Sequence, residues 1–363
     1  MASAPHSPHI PVREDWLARG VEPPLEPALP IVDPHHHLWD RPGDRYLFDD
    51  LLRDTRSGHD IRATVFVTCR AMFRAGGPEA MRPVGETEFV NGVAAQSASG
   101  LYGKLRACQG IVGFADLTLG ERVAPVLEAH LRAAPERFRG IRNNTAFHPD
   151  PAIQTNPVKP REGLLADPAF LRGAALLPRH GLTLDVWAYH TQLAEVEALA
   201  RALPDLTVIL DHMGGPIGIG PFAGRREEVF GVWRAAMRRL AALPNLRVKL
   251  GGLGMALSGF DFHRADTPPG SATLAAAWAP YVETCIELFG ARRCMFESNF
   301  SVDKGMFGYG TCWNAFKRIA AAASADEKAA LFAGTAIKTY RLPPHLGQPR
   351  PTSQQPAPQE PSA

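Results

Sequence analysis

The chain has 363 residues, room for one large domain or two ordinary ones, and at 45% hydrophobic it can bury a sizeable core. Its 39 Lys+Arg against 37 Asp+Glu leave a formal charge of +2 with no basic stripe, which argues against a nucleic-acid partner. The five cysteines, Cys69, Cys108, Cys285, Cys294 and Cys312, include no CxxC pair, so neither a thiolate zinc site nor a disulfide scaffold is expected.

These cysteines read as reduced thiols of a cytoplasmic protein. No run approaches the roughly 18 apolar residues of a membrane span, and the first 30 residues lack the apolar core of a secretory signal. Residues 1–28 hold Pro5, Pro8, Pro11, Pro23, Pro24 and Pro27 and read as an irregular arm on the surface.

From residue 29 onward, apolar runs rich in β-branched residues alternate with helical patterns. "LPIVDPH" (29–35) opens the series and runs into His35, His36 and His37. "RATVFVTC" (62–69) follows, then a long insertion (69–90) whose Arg70, Met72, Phe73 and Arg74 are placed to line a substrate mouth, then the helical 86–98. "GIVGFADL" (110–117) precedes the helical 122–134. "FRGIRNN" (138–144) ends in Arg142, Asn143 and Asn144 and precedes the helical 168–180. "LTLDVWAY" (182–189) brings Asp185, Trp187 and Tyr189 and leads to the helical 191–203; "LTVILDHM" (206–213) brings Asp211 and His212 ahead of 226–243. "LRVKLGGL" (246–253) carries Lys249 ahead of 273–289. "RCMFESN" (293–299) ends in Glu297, Ser298 and Asn299, with Asp303 close behind, ahead of 314–324. Thr191 and Asn314 are candidate N-caps. The end, 343–363, is rich in proline and glutamine and is expected to be a disordered tail.

Eight strand–helix units over 29–342 predict a single α/β domain, a (β/α)8 TIM barrel of eight parallel strands, flanked by proline-rich N- and C-terminal tails. An open doubly wound sheet fits less well, because no glycine-rich phosphate turn follows the first strand. The apolar helix faces at 313–332 leave room for a homodimer.

In this fold, catalytic groups sit at the C-terminal ends of the strands, and those ends are crowded with titratable side chains. Residues two apart in an extended segment point the same way, so His35 and His37 converge inside the barrel and His36 faces away. His212 reaches the same rim. Tyr189 or Trp187 is suited to stack on a ring or donate to an oxyanion, and Lys249 to bind a carboxylate.

The D-x-H-x-H of Asp33–His37, "RGIR" (139–142), "LDHMGGP" (210–216), "KLGGLG" (249–254) and "RCMFESNF" (293–300) together resemble the amidohydrolase superfamily, and within it the amidohydrolase-related branch of TIM-barrel hydrolases that includes the lactonases. The resemblance spans 29–342. It implies His35, His37 and His212 as ligands of one divalent metal, zinc or manganese, or, as in metal-independent members, as groups that polarise a lactone carbonyl directly. It also implies Arg142 as a substrate anchor. The family's strand-8 aspartate is replaced here by Asn299, which can coordinate or hydrogen-bond but cannot act as a base. Glu297, on the same strand face, or Asp303 in the following loop must then supply the missing carboxylate. These readings converge on a hydrolase of a small-molecule carboxylic ester, foremost a lactone of a carboxylated or sugar-derived compound. A decarboxylase or hydro-lyase on an aromatic acid, and a non-catalytic ligand-binding barrel, are the rivals.

Overall fold

The structure, a computed structural model, describes residues 9–153 and 158–349. Eight parallel strands follow one another round one sheet in chain order: β1 (Pro30–His36), β2 (Asp60–Val67), β3 (Arg106–Gly113), β4 (Phe138–Asn144), β5 (Thr183–Trp187), β6 (Val208–Leu210), β7 (Leu246–Leu250) and β8 (Cys294–Phe296). Each is followed by a helix: α1 (Phe48–Thr55), α2 (Val84–Ala98), α3 (Ala124–Ala133), α4 (Pro168–Ala174), α5 (Leu193–Ala202), α6 (Arg226–Ala241), α7 (Ser271–Phe289) and α8 (Tyr309–Ile319). This is the (β/α)8 barrel read from the sequence. The strands are buried on both faces, which is why their sequences run apolar without clean alternation.

Most strands stop short of the segments that predict them, and two of these ends shape the site. β6 ends before Asp211 and β8 before Glu297. Beyond those points the backbone leaves the ladder: His212, Met213 and Asn299 adopt left-handed conformations with φ of 53, 54 and 54°. The barrel closes at the same place. Asn299 N–H donates to the His35 carbonyl (3.1 Å) and His37 N–H to the Phe300 carbonyl (2.8 Å).

The floor of the barrel is apolar. Val32, Ala63, Val65, Val112, Ile209 and Met295 pack there with Tyr340, Leu342 and Leu346. Leu346 belongs to the expected tail, whose first residues instead form a 3-10 turn (Pro344–Gly347) under the barrel. Burying leucine there opposes the disorder that composition suggests; residues 350–363 lie outside the described residues.

The N-terminal arm keeps to the surface but is tightly held. From residue 9 it is sewn to the outside of the barrel. Trp16 is buried and donates to the Ala265 carbonyl (3.0 Å), and Lys317 donates to the carbonyls of Leu25 (2.7 Å) and Glu26 (2.9 Å). Asn314 is not an N-cap. It lies inside α8, where its side chain accepts from Leu25 N–H (2.7 Å) and donates to Pro23 O (2.9 Å). Thr191 likewise lies inside a 3-10 turn (His190–Gln192), so Gln192 stands at the N-cap of α5. Among the described residues no helix is long and apolar enough to cross a membrane.

Replacing Asn314 by alanine strands both backbone groups of the arm. It should lower unfolding stability by about 1–3 kcal/mol, read as a shift of the urea midpoint at constant slope.

Candidate active site

Three imidazoles meet at the seam. His37 donates from Nδ1 to the Val67 carbonyl (2.7 Å), which leaves Nε2 as its acceptor nitrogen. That Nε2 lies 3.3 Å from Nε2 of His35. His212 is tied through Nδ1 to Glu297 Oε1 (2.6 Å), and its ring centre is 4.6 Å from that of His35. Glu297 also reaches His35, with Oε2 2.8 Å from Nδ1. One carboxylate thus holds rings from two other strands. Burial favours the neutral acid, but the facing His212 and His35 outweigh it and hold Glu297 ionised, with its pKa at about 2. Gly251 and Gly252 make the space for this contact: a β-carbon on Gly251 would meet the Glu297 side chain at 2.5 Å, and one on Gly252 the His212 ring at 2.5 Å.

His36 points outward as its register requires. It is fully buried, hydrogen-bonded to Thr64 Oγ1 (2.8 Å), and pressed by burial to a pKa of about 3. Asp33 faces the strand-8 loop, accepting from Ser298 N–H (3.0 Å), Ser298 Oγ (2.6 Å) and Tyr309 OH (2.9 Å). Burial raises its pKa to about 6.

Beneath the imidazoles lies a layer of buried charge. Lys249 donates to Asp185 (2.6 Å) and sits 3.0 Å from Asp211 Oδ1 and 3.2 Å from His35 Nδ1. Arg142 bridges this layer to the cavity. Its guanidinium donates to the Thr68 carbonyl (2.5 Å) and lies 3.6 Å from Asp211 and 3.4 Å from His35 Nε2. Burial and the Lys249 charge both press His35 below its usual pKa, toward the neutral ring.

A neutral His35 carries one proton, and each of its two positions has a use. On Nε2 it completes a chain from Lys249 through His35 and His37 to the Val67 carbonyl. On Nδ1 it faces Glu297 and leaves two Nε2 lone pairs 3.3 Å apart. Two nitrogens on one tetrahedral zinc at about 2.0–2.1 Å are separated by about 3.3–3.4 Å, so the pair fits a cation. Asn299, on the wall of the same cavity, keeps an oxygen free: its Nδ2 donates to Asp303 (2.8 Å), and its Oδ1 is buried without a hydrogen-bond partner. His35, Asp211 and His212 also place ligand atoms within 4.8 Å of one another, but on the Asp211 side the Lys249 ammonium already serves as the cation.

The cavity above is lined by His37, His212, Arg142, Trp187 and Asn299. Trp187 packs edge-on to His212 with ring centres 4.7 Å apart. Other expected contacts lie elsewhere. Lys249 is fully buried in the layer below, where the carboxylates it binds are the protein's own. Tyr189 is buried behind Trp187 and hydrogen-bonds the Ile153 carbonyl (3.3 Å). Arg74 turns to Glu88 on the surface, and Arg70 takes the place on the cavity wall. Neither expected base lines the cavity. Glu297 is locked behind two rings, and Asp303 accepts from Asn299 and from Gly254 N–H (2.9 Å). Burial raises Asp303 to a pKa of about 7. Sequence reasoning did not place His9 and Arg41 on the wall; the arm and a two-stranded antiparallel ribbon after β1 (Trp39–Arg41 with Asp44–Tyr46) bring them there.

A family model described as Amidohydrolase matches residues 32–342. The chain is 34% identical over 337 residues to the uncharacterized protein y4mH of Sinorhizobium fredii, covering 86% of this chain and 99% of that one. It is 30% identical over 241 residues to an L-fucono-1,5-lactonase of Burkholderia multivorans, covering 64% of this chain and 71% of the lactonase. Among solved structures, an amidohydrolase from Burkholderia multivorans with bound zinc superposes with a TM-score of 0.64 at 26% identity, covering 86% of this chain and 99% of that one. The chain belongs to the amidohydrolase family.

Substituting Lys249 by methionine would leave Asp185 and Asp211 buried without their shared cation. A loss of about 3–5 kcal/mol in unfolding stability is expected, measured by chemical denaturation at neutral pH.

Proposed function

We propose that this amidohydrolase opens a carboxylic ester by adding water, foremost a lactone of a small carboxylated or sugar-derived compound. The observation that carries the reading is the histidine pair 3.3 Å apart beside Arg142, on a cavity whose third imidazole is backed by a buried carboxylate. The lactonase activity of the Burkholderia multivorans relative supports the same reaction class.

The roles follow from geometry. Arg142, fixed by the Thr68 carbonyl and Asp211, presents its guanidinium to the substrate carbonyl oxygen or to a carboxylate beside it. His212 is the proton carrier. With Nδ1–H committed to Glu297, its Nε2 takes a proton from water as the water oxygen attacks the carbonyl carbon. Glu297 stabilises the imidazolium that results. The same proton then goes to the alkoxide released when the ring C–O bond breaks. This assignment gives Glu297 an orienting part and leaves Asp303 to hold Asn299 in place. A divalent ion, zinc or manganese, held by His35, His37 and Asn299 would add Lewis-acid polarisation of the carbonyl.

The test is a panel of lactones and open esters, assayed by acid release and by CO₂ release, with metal content measured before and after chelation. Ring opening with acid release is expected. Glu297→Gln, which removes the charge that orients His212 and stabilises its imidazolium, should lower kcat by about 10²–10⁴-fold. CO₂ release without acid would assign the rival decarboxylase chemistry. Full activity in His37→Ala would remove the histidine pair from the mechanism.

A further inference from the structure

The mouth of the cavity carries positive charge that the chemistry on its floor does not use. Arg41 and Arg70 line the wall together with Arg142, and among the described residues no carboxylate lines it. Arg142 has Asp211 as a counter-charge, whereas Arg41 and Arg70 form no ion pair with any described carboxylate. Both guanidiniums instead lie over aromatic rings. Arg41 is 4.4 Å from the centre of Trp39, and Arg70 is 5.1 Å from Phe114 and 5.4 Å from Phe73. Resting on these rings, the guanidiniums keep donors available.

The backbone that aims Arg70 is built for the purpose. Arg70 sits at φ 64°, a left-handed conformation that costs a side chain of this size strain energy. The buried carboxylate of Glu86 holds the turn, accepting from Cys69 N–H (3.1 Å), Ala71 N–H (2.8 Å) and the Thr68 hydroxyl. Arg41 is fixed to the same turn by donating to the Cys69 carbonyl (3.1 Å). The N-terminal arm closes the facing side. His9 lines the cavity and stacks on Trp39, with ring centres 5.5 Å apart and planes 14° apart. That wall comes from outside the segment that the family model matches.

We infer that Arg41 and Arg70 form an oxyanion-binding subsite at the cavity mouth, so that the substrate carries a carboxylate or phosphate group away from the bond that is broken. This assignment deepens the ring-opening reading and rests on it for the reacting bond; anion binding itself is testable without turnover.

The experiment has two parts. Kinetics on matched lactones, one neutral, one carboxylated and one phosphorylated, give the preference for charge as a ratio of kcat/KM values. The wild type should favour one anionic form over the neutral form by at least about tenfold, and Arg70→Gln and Arg41→Gln should each lower that ratio by about tenfold, the factor one charge-assisted hydrogen bond carries. The form preferred separates carboxylate from phosphate. In parallel, glutarate and inorganic phosphate are titrated calorimetrically into wild type and Arg70→Gln, a substitution at an exposed position. Binding weakened in the variant supports the subsite. If no lactone turns over but an anion binds through Arg70, the ring-opening reading falls and the subsite stands. An unchanged kcat/KM ratio in both variants, or anion binding that is absent or indifferent to Arg70, overturns the subsite.

Discussion

A single carboxylate at the end of β8 governs the arrangement. Glu297 hydrogen-bonds the imidazole of His212 beyond β6 and lies 2.8 Å from that of His35 on β1, so one buried carboxylate orients the first ring and faces the second. Burying a carboxylate is costly unless it is paired, and the layer beneath shows how far that constraint spreads. Lys249 lies between Asp185 and Asp211, and Arg142 approaches Asp211 from the cavity. Three carboxylates face two permanent cations there, and burial in that company raises Asp185 to a pKa of about 6. The imidazoles therefore rest on an electrostatic lattice that fills the upper barrel, above an apolar floor.

The seam ties architecture to chemistry. The first and last strands meet through the backbone of residues 35–37 and 299–300, the segments whose side chains form the site. Backbone groups close the barrel while, among the same residues, the side chains of His35, His37 and Asn299 turn to the site. Asn299 takes a left-handed conformation there, which asparagine tolerates better than most residues. Disturbing the site and disturbing closure are consequently hard to separate at these positions.

Much of this was legible in the sequence, for identifiable reasons. The period of two in a strand is rigid, so the inward His35 and His37 and the outward His36 follow from spacing alone. The rhythm of strands and helices gave the barrel, because buried parallel strands leave uninterrupted apolar runs. Depth was not legible. Lys249 lies on the expected strand and Tyr189 just past the end of β5, at heights set by their neighbours, so a polar residue read as a substrate contact became part of the support. Arg70 and Arg74 are indistinguishable by composition; a left-handed turn held by a distant glutamate selects between them. The arm was unreadable for a related reason. Prolines announce irregularity but not destination, and the groups that anchor it, such as Asn314 and Lys317, lie some 290 residues further along the chain.

The glycines at 251 and 252 carry no functional group, yet the contact between Glu297 and His212 exists only because those positions are bare. At the end of β7 the protein contributes room, and the contact depends on that room as strictly as on its reactive atoms. Transplanting this site into another barrel would therefore mean moving an absence along with three histidines and an arginine. A designer who copied every reactive atom and left an alanine on the seventh strand would rebuild the inventory without the machine.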